Sequence, residues 1–368
     1  MKNLIHLLTN AQSFLRNLPP QPKTLHFILG NESCDLDSTI SALVLGYFIQ
    51  KTHPNEAVIP LLNVTKEDLM LRTENCYVLE NAGISLSHLT FRNEVSFENI
   101  VGKYLVKVSL VDHHILSKCD CIFEQFVTQI YDHRPVDKSH VWNEDKVKLR
   151  IEFVGSCCTL IADEILKTNE NLLSSALAYL LYQVIIYDTI ALKVENHKAT
   201  VLDIQVAEKL EELFNFSEDR EGIFDKLWRE HNNISHLTPH QLLKKDLKLV
   251  EGVYIPGLPI LAEDYLKLET ALHAIESFAC EHEVSCLLLI GLDASNGTIK
   301  RDLAIYFNSP EDGLKKTLLE VLEGANCKLE RRHTKFPDKI LLFHVHNIEL
   351  SRKQLVPLVK RAWTISRK

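Results

Sequence analysis

The chain predicts a two-domain α/β fold. A mostly parallel sheet flanked by helices is expected over residues 1–215, a linker over 216–238 and a smaller α/β domain over 239–368, with an active site in the crevice between the domains. Three observations carry this. Short apolar runs alternate with helical patterns through the first half. Acidic and imidazole residues recur where those runs end. A polar, charged stretch from about Asn215 to Thr238 then separates a second mixed region.

Taken in order, Met1–Leu18 sets Leu4, Ile5, Leu7, Leu8, Phe14 and Leu15 among polar residues, which fits an amphipathic helix better than a signal peptide. The lack of an acidic residue before Glu32 also suits a transit peptide, although a strand beginning at Leu25 leaves little room for one. Leu25–Leu29, Ala57–Leu62, Leu105–Val111 and Val127–Tyr131 read as buried parallel strands. Val147–Val154 alternates, as an edge strand or hairpin would. Helices are expected over Ser38–Gln50, Thr73–Asn81, Ser156–Lys167 and Asn171–Leu192. The last is apolar all round from Ala176 and should be buried. In the second half, strands are expected near Gly252–Ile255, Val284–Ile290, Leu303–Phe307 and Ile340–His344. Helices are expected near Tyr265–Glu281, Glu311–Leu322 and Arg352–Trp363.

Composition narrows the function. A net charge of −8 argues against a general nucleic-acid binder, while leaving room for a local basic pocket. The nine cysteines have no disulfide-framework spacing. Neither Cys119-x-Cys121 nor Cys157-Cys158 is joined by a second pair at zinc-site spacing. Reduced thiols in the cytosol are the simpler reading, and no apolar run approaches the roughly 20 residues of a membrane span. A cytoplasmic protein is expected.

The candidate chemistry lies at strand and helix ends. Gly30-Asn31-Glu32-Ser33-Cys34-Asp35-Leu36-Asp37-Ser38 follows the first strand with paired carboxylates at the start of a helix. Such a pair suits a hard cation or, equally, a solvated capped turn. Asp112-His113-His114 follows Val108-Ser109-Leu110-Val111, and Asp132-His133-Arg134 follows Ile130-Tyr131. In open α/β sheets ligands bind at that carboxyl edge. Asp188 ends an apolar helix, where a carboxylate needs a cation or a hydrogen-bond partner. Together these residues suggest a divalent-metal phosphohydrolase.

In order and context the motifs resemble the Asp-His-His (DHH) phosphoesterase superfamily, and within it the Prune-like exopolyphosphatases, related to family II inorganic pyrophosphatases. The resemblance runs from Gly30–Ser41 through Leu110–His114 and Tyr131–Pro135 to Asp188. It continues in Lys244–Lys248 and Ser351–Pro357. It implies a DHH domain followed by a DHH-associated domain. Asp35, Asp37, Asp112, His133 and Asp188 would be ligands to two divalent ions, Mg²⁺ or Mn²⁺. Lys248, Arg352 and Lys353 would be a phosphate clamp. Arg301 is a further candidate anion contact or simply part of a charged turn. The pyrophosphatases have histidine where this chain has Asn31 and Arg134. Asn31 is then a weak oxygen ligand or a hydrogen-bond donor behind one, and Arg134 a phosphate contact.

The expected reaction is release of phosphate from short inorganic polyphosphate by metal-activated water. Asp112 would bridge the ions, Arg134 would neutralise phosphoryl charge, and His113 or His114 would protonate the leaving oxygen or orient a ligand. The alternatives are a 3',5'-cyclic-nucleotide phosphodiesterase and a regulatory interaction protein with vestigial catalysis. The resemblance also implies nucleoside diphosphate kinase as a partner.

Overall fold

The computed structural model describes residues 1–18, 24–137, 140–284, 286–293, 299–308, 313–325, 327–347 and 349–366. The chain divides into two units, Met1–His231 and Asn232–Lys368.

The first unit holds α1 (Lys2–Arg16), β1 (Thr24–Leu29), α2 (Leu36–Thr52), β2 (Ala57–Leu62), α3 (Lys66–Leu69), α4 (Thr73–Asn81), β3 (Thr90–Phe91), β4 (Leu105–Val111), β5 (Val127–Asp132) and β6 (Lys148–Ile151). It closes with α5 (Cys157–Asn169), α6 (Ser175–Asp188), α7 (Val201–Phe214) and α8 (Arg220–His231). Its six strands lie in the order β3-β2-β1-β4-β5-β6, every pairing parallel. Chain order reverses between β1 and β4. That switch point is where a doubly wound sheet opens a crevice at its carboxyl edge.

Both sheet faces are covered, as an all-parallel sheet requires. On one face α2, α5 and α6 pack over Ile28, Val58 and Tyr131. On the other, Phe97, Ile100 and Phe123 pack over Phe27, Leu29, Val108 and Leu110. Leu4, Leu7 and Leu8 of α1 are buried in the first of these cores, so the amphipathic N-terminal helix is part of the fold.

The second unit contains α9 (Pro239–Lys245), β7 (Leu247–Val250), β8 (Val253–Leu258), α10 (Ala262–Tyr265), α11 (Ala271–Glu281), β9 (Cys286–Asp293) and β10 (Lys300–Phe307). α12 (Gly313–Gly324), β11 (Leu329–Arg332), β12 (Ile340–Val345) and α13 (Arg352–Ser366) complete it. The sheet runs β11-β12-β10-β9-β8-β7 and is mixed, with β8 and β9 parallel and the other pairs antiparallel. α12 and α13 pack on one face, through Leu314, Leu318, Leu355 and Val359. Leu242 and Leu243 of α9, Tyr265, Ile275 and Phe278 pack on the other.

Three differences from the sequence reading have local causes. The apolar run Asn171–Leu192 contains a shorter helix, because Ser174 caps α6 and Ile190, Ala191 and Leu192 turn left-handed just beyond it, at φ 54°, 57° and 59°. Tyr265–Glu281 is two helices, with 266–270 between them. The polar stretch read as a linker contains α8, whose Ile223 and Leu227 are buried in the first core. Ser285, Glu311 and Asp312, within expected elements, lie outside the described residues.

Candidate metal centre

The sheet's carboxyl edge places three candidate ligands together. Asp37 from the first turn of α2, Asp112 just past β4 and His133 just past β5 each offer an atom within 4.8 Å of the others. Asp112 leaves the strand at φ 60°, a left-handed conformation uncommon outside glycine, and its amide donates to the Tyr131 carbonyl at 2.8 Å. That kink turns the carboxylate from the ladder toward the site.

Backbone amides fix the other two residues. Asp37 accepts from the amides of Cys157 at 2.6 Å and Cys158 at 2.8 Å, at the N-terminus of α5, where oriented N–H groups favour an anion. Asp132, fully buried, accepts from the amides of His133 at 2.8 Å and Arg134 at 3.2 Å. The His133 ring donates from Nδ1 to the Val154 carbonyl at 3.0 Å. A carbonyl can only accept, so in the neutral imidazole Nε2 carries a lone pair. That atom faces Asp112 Oδ1 at 3.2 Å and Asp37 Oδ2 at 3.8 Å.

Acceptors therefore face one another where both carboxylates are buried and the imidazole is only partly exposed, and a proton or a cation between them makes the arrangement stable. Burial opposes a charged imidazole, yet Asp112 and Asp37 raise the His133 pKa to about 10. Asp37 and Asp112 are themselves pushed up, by burial first. Proximity to Asp35 adds to the shift of Asp37, and repulsion from Asp37 and Asp35 adds to that of Asp112. Asp188, at the end of α6, is raised by burial and then by Asp37, with the Ser156 hydroxyl pulling the other way. Its Oδ2 is sealed from water and has no hydrogen-bond partner among the described residues. This donor set of buried carboxylates, one imidazole and an orphaned oxygen fits a hard divalent cation. Asp35 caps α2, accepting from the Ser38 amide at 3.1 Å, and lies outside the three-residue cluster, as does Asp188.

Asn31 is turned by its own loop. Its side-chain oxygen accepts from the Cys34 amide at 2.9 Å, and the backbone N–H admits only an acceptor there. The amide nitrogen then donates to Asp112 Oδ2 at 2.7 Å. Asn31 thus holds a candidate ligand. Gly30 precedes it because a β-carbon there would meet Ser38 Oγ at 2.3 Å, the atom that receives the Asn31 amide.

The histidines after Asp112 are sequestered. His114 bonds Asp132 through Nδ1 and accepts from the Asp137 amide at 2.8 Å through Nε2. His113 donates from Nδ1 to the Val111 carbonyl at 2.9 Å, and burial lowers its pKa. Arg134 is half exposed, with Nη2 3.5 Å from Asp112 Oδ1.

In the second unit, Arg352 at the start of α13 places Nη2 2.5 Å from Asp246 Oδ2 and donates to the Asp246 carbonyl. Lys248 on β7 and Lys353 are exposed. Arg301 lies within β10, between Leu292 and Val345, so it belongs to a strand and not to a turn. The motifs left out Ser156 and the α5 amides, for which the Ser-Cys-Cys run before an apolar helix is the sequence signal, and gave no role to Asp246 although it lies within Lys244–Lys248.

Residues 225–362 match the family model described as the DHHA2 domain. The chain is 35% identical over 352 residues to human "Exopolyphosphatase PRUNE1", covering 93% of this chain and 76% of that protein. It is 33% identical to the Bos taurus protein of the same name, with the same coverage. Over 232 residues it is 27% identical to the "Manganese-dependent inorganic pyrophosphatase" of Methanocaldococcus jannaschii, covering 61% of this chain and 66% of that one. The doubly wound domain, the acid-rich carboxyl edge and these matches define a DHH-superfamily phosphoesterase. Within the superfamily, the chain belongs to the Prune-like exopolyphosphatase family.

Proposed function

We propose that this protein is a metal-dependent hydrolase of phosphoanhydride bonds that releases phosphate from short-chain inorganic polyphosphate. The observation that carries the reading is the facing of His133 Nε2 and Asp112 Oδ1 at 3.2 Å beside Asp37, a group of donor atoms that can hold a divalent cation in place of a proton. The names of the relatives support the substrate class.

Asp35, Asp37, Asp112, His133 and Asp188 would hold two divalent cations, Mg²⁺ or Mn²⁺. When bound, such ions supply Lewis acidity toward phosphoryl oxygens and acidify water. The remaining roles fall to the chain itself. Asn31 and the α5 amides keep Asp112 and Asp37 aimed. Arg134 has guanidinium donors to spare for a phosphoryl oxygen, where charge neutralisation matters most. Asp246 holds the Arg352 guanidinium in one orientation, and, as the family resemblance implies, Arg352, Lys248, Lys353 and Arg301 would contact phosphate. His114 has both nitrogens engaged and would orient the strand end. His113 spends Nδ1 on a carbonyl but has no partner for Nε2 among the described residues, so of the two it is the candidate to protonate the leaving oxygen.

A phosphate-release screen with Mg²⁺ or Mn²⁺ over pyrophosphate, tripolyphosphate, longer polyphosphates and cyclic AMP tests this. Tripolyphosphate should be turned over fastest; faster turnover of cyclic AMP would overturn the substrate assignment. Two finer readings follow the family resemblance: a cytoplasmic location and association with nucleoside diphosphate kinase. Localising a tagged chain by microscopy tests the first. Calorimetry with purified kinase tests the second, and absence of heat at micromolar concentrations would remove that partner. Among the described residues, no helix is long and apolar enough to cross a membrane.

A further inference from the structure

Asp203 lies in α7, outside every motif described above, and its residue is fully buried. No cationic side chain pairs with it among the described residues. Four donors converge on its carboxylate instead. Oδ2 accepts from the Gly155 amide at 2.8 Å, the Thr200 amide at 2.7 Å and the Thr200 hydroxyl at 2.7 Å, while Oδ1 accepts from the Thr159 hydroxyl at 2.5 Å. The Thr200 bonds close a capping box at the start of α7. The Gly155 and Thr159 bonds have no such local purpose. They reach back more than forty residues to the two sides of the α5 N-terminus.

That N-terminus is where two candidate metal ligands meet. The Cys157 and Cys158 amides hold Asp37, and the Ser156 hydroxyl lies close enough to Asp188 to favour its ionised form. Gly155 is wedged so closely that a β-carbon would lie 2.4 Å from Thr189 Cγ2, beside Asp188, and 2.9 Å from the Lys198 carbonyl. Asp203 thus ties the loop before α5 and the first turn of α5 to the start of α7, while the turn after α6 packs against Gly155. We propose that Asp203 is a positioning residue for the metal centre, acting through Gly155 and Thr159 to set the α5 amides against Asp37 and Ser156 against Asp188. The inference rests on the metal-site reading, but its geometry stands without bound metal.

The test separates positioning from simple helix capping. Thr159→Val cuts only the tie to α5, whereas Thr200→Val removes only a hydroxyl of the cap. Asp203→Asn can still accept from both amides with its oxygen while donating to Thr159, so it should rescue what Asp203→Ala loses. Amide hydrogen exchange over residues 155–158, measured in EDTA, should accelerate at least about tenfold in Asp203→Ala and measurably in Thr159→Val, and stay near wild type in Thr200→Val and Asp203→Asn. Mn²⁺ affinity by calorimetry should fall about 10- to 100-fold in Asp203→Ala, the range usual when a group behind a metal ligand is lost. It should fall less in Thr159→Val and not at all in Thr200→Val. If Asp203→Ala does not fold, the two threonine variants decide. Wild-type exchange and wild-type Mn²⁺ affinity in Thr159→Val, or equal losses in both threonine variants, would overturn the proposal. A wild-type protein that binds no Mn²⁺ would refute the metal reading alone, because the exchange measurement in EDTA still reports on Asp203.

Discussion

Replacing Asn31 by aspartate probes the site with a change of one atom. The side-chain oxygen that accepts from Cys34 is kept, while the nitrogen 2.7 Å from Asp112 Oδ2 becomes a second carboxylate oxygen. At an effective dielectric of about 20, two unit charges at that distance repel by roughly 6 kcal/mol. Keeping one carboxyl protonated at pH 7 costs less, roughly 4 kcal/mol for about three pKa units, and the acquired O–H restores the lost bond. The protonated pair is therefore the metal-free state. A carboxyl whose folded pKa is raised carries no penalty below its unfolded pKa and an increasing one above it. Metal-free Asn31→Asp should be less stable than wild type by about 4 kcal/mol at pH 7, the gap narrowing by about 1.4 kcal/mol per pH unit toward pH 4. Urea unfolding in EDTA at pH 5 and pH 7 measures this, and added Mn²⁺ should close the gap by replacing the proton. A variant as stable as wild type in EDTA at pH 7 would refute the Asn31–Asp112 contact and the charge argument built on it.

Three further outcomes are expected. Asp188→Asn, which neutralises a buried carboxylate with an orphaned oxygen, should retain the fold by circular dichroism yet release no phosphate from tripolyphosphate; near-wild-type turnover would remove Asp188 from the site. Arg352→Ala should raise KM for tripolyphosphate about tenfold or more with little change in kcat, if it binds ground and transition states alike; unchanged steady-state kinetics would exclude it. Asp302 in β10 is raised to about 6 by burial, although the Ala262 and Glu263 amides favour its ionised form. Wild type should therefore lose roughly 3 kcal/mol relative to Asp302→Asn as pH rises from about 4 through 6. A flat difference between the two urea curves would contradict that shift.

The regularities of the chain that reach only a few residues were readable in advance. Parallel strands announced themselves as short apolar runs, and Asp37, Asp112 and His133 stood out because each follows such a run or opens the helix after it. What was not readable depends on residues far apart. The carboxylate that Asn31 holds, Asp112, lies 81 positions away, and Arg352 is held by a residue 106 positions before it. The end of α6 was hidden because Ile190-Ala191-Leu192 is apolar and reads as more helix, while the backbone turns left-handed. α8 was hidden for the opposite reason, since only Ile223 and Leu227 of its charged sequence are buried.

The central claim is that Asp37, Asp112 and His133 form the core of a divalent-metal site. Calorimetric titration of Mn²⁺ into metal-free wild type and Asp112→Asn tests it most directly. In the variant, the new amide can bond His133 Nε2, so the fold should survive. Wild type should bind Mn²⁺, and Asp112→Asn should bind it at least about a hundredfold more weakly. Equal affinity in the two folded proteins would contradict the account.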